Sequence, residues 1–194
     1  MESNGEIMIS PQHTKENYIN LNLRINSDGD TWNRAIDILR SRIQGRYFDQ
    51  IEILSGDICA NGFTIMALNC LLVDALYQFK GGLKDSKANN KKNYSGFLQS
   101  ALSEAFDAQM ADCFYNDVRC GILHSAQTGN KARLTDNNDY IVRMEGDILL
   151  VSVQRFSRRI RDYFDDYIHG LFNRRNKTLR KKFIKKMNFI CKRD

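Results

Sequence analysis

The stretch NGFTIMALNCLLVDALYQFK, residues 61–80, decides the fold class. Phe63, Ile65, Met66, Leu68, Leu71, Leu72, Val73, Leu76 and Phe79 leave hardly a turn of helix without an apolar side chain. No proline interrupts it, and Gly81-Gly82 follows it. One long helix is expected, opened at Asn61 or Gly62 and stopped near Lys80 by the glycine pair. A helix apolar nearly all round belongs at the centre of a core. Asp74 interrupts it, and is expected either at a boundary or paired with a base. The longest uncharged run, residues 58–73, is too short for a bilayer and holds Asn61 and Asn69. No membrane span is expected.

Helical periodicity extends on both sides. Upstream, Trp32, Ile36, Leu39, Ile43, Tyr47 and Ile51 recur at spacings of three and four, with Asp30 or Thr31 as the cap and Gly56 as the stop. Residues 1–29 form a polar N-terminal arm, with a short extended piece expected at Tyr18 to Ile25. Downstream, residues 83–94 are polar and lysine-rich, a loop by composition. A short helix is expected from Ser95 to about Ala108, and another from a cap at Asp112 to about Thr128. Residues 140–144 and 148–151 flank Glu145-Gly146-Asp147, a hairpin signal. Helical periodicity returns through Phe156, Ile160, Phe164 and Ile168. The expected fold is mainly α, with a small late β-hairpin and a basic C-terminal helix. An alternating β/α order, a P-loop and a dinucleotide fingerprint are all missing from the sequence.

Composition agrees. Pro11 is the sole proline among 194 residues, so breakers are few. The five cysteines, Cys59, Cys70, Cys113, Cys120 and Cys191, are odd in number and form no C-x-x-C pair, which disfavours a disulfide framework or structural zinc. The first ten residues lack a basic signal-peptide start, so a cytoplasmic protein is expected.

Charge is unevenly placed. The net charge is +6, yet residues 174–194 carry +9 and residues 1–173 carry −3. Leu179, Phe183, Met187 and Ile190 make an apolar stripe in the tail, residues 173–194, so a docked helix with its basic side outward is expected. Lys181, Lys182, Lys185 and Lys186 are then candidates for RNA-phosphate contacts. A solvated face without a partner is the competing reading.

The chemistry-bearing segment is FYNDVRCGILHS, residues 114–125. On a regular helix Ala111, Phe114, Tyr115, Val118, Ile122 and Ser125 share the core face. Asn116, Asp117, Arg119, Cys120, Leu123 and His124 fall opposite, with Arg119 and His124 about 140° apart. A face mixing polar and apolar residues suits a second subunit, with Cys120 and Leu123 at the contact. His13 and His169 stand alone, and no histidine pair has metal-ligand spacing.

Arg119-Cys120-Gly121-Ile122-Leu123-His124 resembles the R-x4–6-H signature of the HEPN family, helical proteins among which many are metal-independent ribonucleases. The wider 114–124 stretch is similar to a subgroup found around prokaryotic defence and mobile-element genes, and the helical order resembles the family over residues 30–172. The resemblance implies a HEPN-like helical bundle and a homodimeric endoribonuclease with Arg119 and His124 catalytic, needing no cofactor and no metal. It also implies a toxin or anti-phage role, with RNA as substrate and a neutralising antitoxin or defence partner. The residue after the arginine is usually polar in active members and is Cys120 here, leaving Asn116 or Asp117 to supply the polar function. The alternatives are a non-catalytic module binding nucleic acid or nucleotide, and a partner-docking protein.

Overall fold

A computed structural model describes residues 2–3, 5–84 and 90–191. Met1 and Asn4 of the arm, residues 85–89 of the lysine-rich loop, and Lys192, Arg193 and Asp194 of the tail lie outside the described residues. The protein is mainly helical with a small three-stranded sheet late in the chain. It divides into two compact units. Met1–Gln50, Gln78–Asp85 and Phe164–Asp194 make the first; Ile51–Tyr77 and Ser86–Tyr163 make the second.

The first unit opens with two short antiparallel strands, β1 (Glu2–Ser3) and β2 (Glu6–Ile7). Where an extended piece was expected, Tyr18 and Ile19 belong to a short helix, α1 (Lys15–Ile19). The cause is a capping box. Thr14 Oγ1 accepts from the Asn17 N–H at 3.3 Å, and Asn17 Oδ1 accepts from the Thr14 N–H at 2.8 Å. The next helix, α2 (Gly29–Ile43), starts earlier than expected. Asp28 is the cap, its carboxylate accepting from the Thr31 N–H at 2.8 Å.

A π-helical turn, Gln44–Phe48, then joins α2 to α3 (Asp49–Leu54). It corrects the expected stripe at one position. Trp32, Ile36, Leu39, Ile43 and Ile51 are buried, but Phe48 replaces Tyr47 in the core. A π turn closes at i→i+5, so residues five apart share a face. Ile43 and Phe48 are such a pair, and the Phe48 ring meets Phe164 at 5.6 Å.

Helix α4 (Ile58–Gly81) starts at a cap the sequence reading placed later: Asp57 accepts from the Ala60 N–H at 3.0 Å. Its residues contribute to both units. The expectation of a helix buried all round needs correction. Ile65, Met66, Cys70, Leu72, Val73 and Leu76 are buried, while Phe63 is 38% and Leu71 44% exposed. Apolar composition without periodicity leaves the exposed face unmarked. By length and composition α4 also meets the criterion for a membrane-crossing helix, as core helices of soluble proteins do.

In the second unit follow α5 (Asn90–Ala101) and α6 (Ala108–Cys113). Asp107, not Asp112, caps α6, accepting from the Met110 N–H at 2.8 Å. The helix runs on through a π segment, Phe114–Cys120, into α7 (Gly121–Ser125), and ends at Ala126 in the left-handed region. The expected hairpin is present as β4 (Val142–Glu145) and β5 (Ile148–Ser152). An unforeseen strand, β3 (Ala132–Thr135), pairs parallel with β5 to give the order β3-β5-β4. Phe114 stacks on Phe156 at 4.9 Å, and Phe106 meets Phe114 edge-on at 5.5 Å. This aromatic cluster fixes the π segment against the start of α8 (Val153–Phe172).

The tail forms α9 (Lys177–Cys191) within the first unit. Phe183, Met187 and Cys191 are buried, and Trp32 lies 5.8 Å from Phe183. Arg180 is also buried; its guanidinium lies 4.1 Å over the Trp32 ring while Nε donates to the Leu171 carbonyl at 2.9 Å.

The π turn at 44–48 makes a direct prediction. Phe48→Ala should cost about 3–5 kcal/mol in urea unfolding. Tyr47→Ala should cost under about 1 kcal/mol, and a larger loss at Tyr47 than at Phe48 would place the stripe on a regular α-helix.

Candidate functional site

Arg119 and His124 have different surroundings. Arg119 was expected to face away from the core with His124. It points inward instead, with its side chain 15% exposed. The π segment is the reason: more residues per turn bring neighbours closer around the axis, so Arg119 stays near the face of buried Val118. Its Nη2 lies 3.4 Å from Asp74 Oδ2, whose side chain is 16% exposed. Of the two placements open to Asp74, the structure therefore selects pairing with a base. Nη1 reaches Cys120 Sγ at 3.8 Å, and the guanidinium lies 5.5 Å from the Tyr115 ring centroid.

The pair is incompletely satisfied. Asp74 Oδ1 and Arg119 Nε are buried without a hydrogen-bond partner among the described residues. Burial raises the Asp74 pKa, against the pull of Arg119. For Arg119, burial opposes the charge, but Cys120, Asp74 and Tyr115 together more than offset it and hold the guanidinium protonated. Behind the pair lie Cys70 and Tyr94. Burial pushes the Cys70 thiol up to about 12, and it raises Tyr94 as well, so both are neutral at physiological pH.

His124 is exposed, in the last turn of α7. No hydrogen bond or ion pair joins it to Arg119 among the described residues. Cys120 and Leu123, the expected dimer face, are both half-buried.

Asn116 and Asp117 take separate parts. Asn116 is exposed. Asp117 is committed to the loop after α7: its Oδ1 accepts from the Lys131 N–H at 3.2 Å, and its carbonyl accepts from the Gly129 N–H at 2.6 Å. Close approach explains two glycines here. A Cβ on Gly121 would lie 2.6 Å from the Gln127 carbonyl oxygen, and one on Gly129 would lie 3.1 Å from Asp117 Cα. Asn116 and Asp117 also line a polar cleft of about 520 Å³ with Gln109, Cys113, Asn130, Lys131, Met144 and Asp147. Arg119 and His124 do not line it.

In the tail, Lys181 and Lys185 are exposed and Lys182 is half-buried. Lys186 does not share their face. It is 7% exposed, and its Nζ donates to Gln78 Oε1 and, at 3.0 Å, to the Lys84 carbonyl.

Asp74 is the residue the sequence reading left least defined. Its signal was its charge, alone in residues 58–79. Tyr115 gave no signal beyond its place on the core face. No family model matches the sequence, and neither a curated protein nor a solved structure matches it.

The differing environments predict differing stabilities. Arg119→Ala leaves a buried carboxylate unpaired and should cost about 1–3 kcal/mol. His124→Ala should change stability by less than about 0.5 kcal/mol. Thermal unfolding of the two variants checks this, and an unaffected Arg119→Ala would mean that the ion pair is not formed.

Proposed function

We propose that the chain is a HEPN-like, metal-independent endoribonuclease acting as a homodimer, with Arg119 and His124 in a composite site. The observation that carries this reading is a held arginine in a π-helical segment, followed five residues later by an exposed histidine. Single-turn π distortions recur at functional sites because they reposition a side chain without breaking the helix.

The residue types suit the chemistry. In metal-free cleavage the ribose 2′-oxygen attacks phosphorus, and the bond from phosphorus to the 5′-oxygen breaks. Histidine titrates near neutrality, so His124 takes the 2′-hydroxyl proton and, as the imidazolium so formed, returns a proton to the leaving 5′-oxygen. Arginine remains cationic and stabilises the charged phosphorane. One chain supplies one of each; a two-fold dimer supplies two of each. The product is a 2′,3′-cyclic phosphate.

The dimer reading gains a residue from the exposed face of α4. Leu71 lies one turn before Asp74 and is 44% exposed. It is a further uncharged, exposed side chain, which a second copy can cover without like-charge repulsion. Lys181 and Lys185 give the tail a phosphate-facing side, with Lys182 partly available. A role as a defence toxin, restrained by a neutralising partner in the cytoplasm, follows from the resemblance.

Two observations favour a second reading. Asp74 neutralises Arg119, and Cys120 stands where active members carry a polar residue. Both suit a non-catalytic HEPN module that binds nucleic acid or nucleotide.

Incubation of RNA with the protein in excess EDTA separates the two. The ribonuclease reading predicts cleavage with 2′,3′-cyclic phosphate ends, lost in His124→Ala while RNA binding persists. Salt-dependent binding without cleavage supports the second reading. For the dimer, Leu71→Glu should give monomers by light scattering and lose cleavage together; an active monomer contradicts the composite site.

A further inference from the structure

We propose that Asp74 is a positioning residue, holding the Arg119 guanidinium by one nitrogen so that the rest of the fork faces the scissile phosphate. This rests on the ribonuclease reading of Arg119.

The contact is made at one point. Among the described residues, Asp74 and Arg119 share one hydrogen bond, from Nη2 to Oδ2 at 3.4 Å, whereas a closed carboxylate–guanidinium pair uses two parallel hydrogen bonds. Among the same residues, Nη1 is spent on nothing stronger than the Cys120 sulfur at 3.8 Å. A phosphate oxygen is a far better acceptor for that N–H than a thiol. The Tyr115 ring, 5.5 Å from the guanidinium carbon, further restricts the fork.

The support is rigid. Asp74 sits in the interior of a 24-residue helix, and that helix is anchored in the second unit by Asn69, whose Nδ2 donates to Ser157 Oγ at 2.7 Å. Arginine carries substantial rotamer entropy, and a group already held loses less of it when substrate arrives. Asp74 is also the sole charged residue in residues 58–79. A carboxylate placed there costs desolvation, as its raised pKa reflects. A structural helix of this kind would accommodate an apolar residue at no such cost.

The test compares wild type with Asp74→Asn and Asp74→Glu on an oligoribonucleotide in EDTA, beside the rate at which phenylglyoxal modifies Arg119, read by mass spectrometry. Asp74→Asn keeps the shape and loses the charge. Its kcat should fall about a hundredfold, the scale of a misplaced catalytic group. KM should change by less than about twofold, because ground-state binding is not what is lost. Arg119 modification should speed up severalfold as the hold is released. Asp74→Glu keeps the charge at a longer reach, and its kcat should lie between the other two. It carries the comparison if Asp74→Asn lowers the melting temperature.

Unchanged kcat, or a loss confined to KM, overturns the proposal. So does an unchanged modification rate, which reports on the hold whether or not RNA is cleaved. If wild type itself leaves RNA intact while modification of Asp74→Asn accelerates, the ion pair stands and the ribonuclease reading falls, taking the catalytic role of Asp74 with it.

Discussion

The Asp74–Arg119 ion pair is the constraint around which the second unit's candidate site is arranged. A guanidinium this deeply placed needs a counter-charge, and residues 58–79 offer one carboxylate. A regular helix would carry Arg119 away from that carboxylate, so the chain widens by one π segment to bring it inward. The aromatic cluster of Phe106, Phe114 and Phe156 fixes the widened turn, and Gly121 and Gly129 let the following loop return closely enough for Asp117 to hold it. His124 is left outside, at the exposed end of the same helical run.

Much of this fold was legible in the sequence because burial repeats along helices. The stripe from Trp32 to Ile43 and the hairpin around Gly146 follow directly from periodicity and turn chemistry. The departures share a local origin. Tyr47 and Phe48 are both apolar neighbours, and only the hydrogen-bond closure of the turn decides which one is buried. Thr14 with Asn17 makes a capping box from residues that composition alone assigns to a polar arm. Strand β3 is four residues long and pairs parallel with β5, so no hairpin turn announces it. Helix α4 is apolar on every face, and sequence therefore carried no information about which face is exposed.

The candidate site was legible in residue type but not in direction. Arg119 and His124 stood out by spacing, yet their orientations follow from a π distortion that has no simple sequence signature. Lys186 illustrates the same limit in the tail. Its charge suggested a phosphate contact, while its position one residue before Met187 turns it toward Gln78 and Lys84. A lysine with a long apolar stem can line a buried face as readily as an exposed one.

The central claim is that Arg119 and His124 act together across two copies of the chain. Mixing two inactive variants tests it most directly. Arg119→Lys keeps a charge beside Asp74 but loses the fork, and His124→Ala loses the titrating group. Each alone should fail to cleave RNA in EDTA. After the two are unfolded together and refolded, mixed dimers contain one unaltered Arg119 facing one unaltered His124 from the other copy, and cleavage should reappear. A mixture as silent as either variant alone would contradict the composite site.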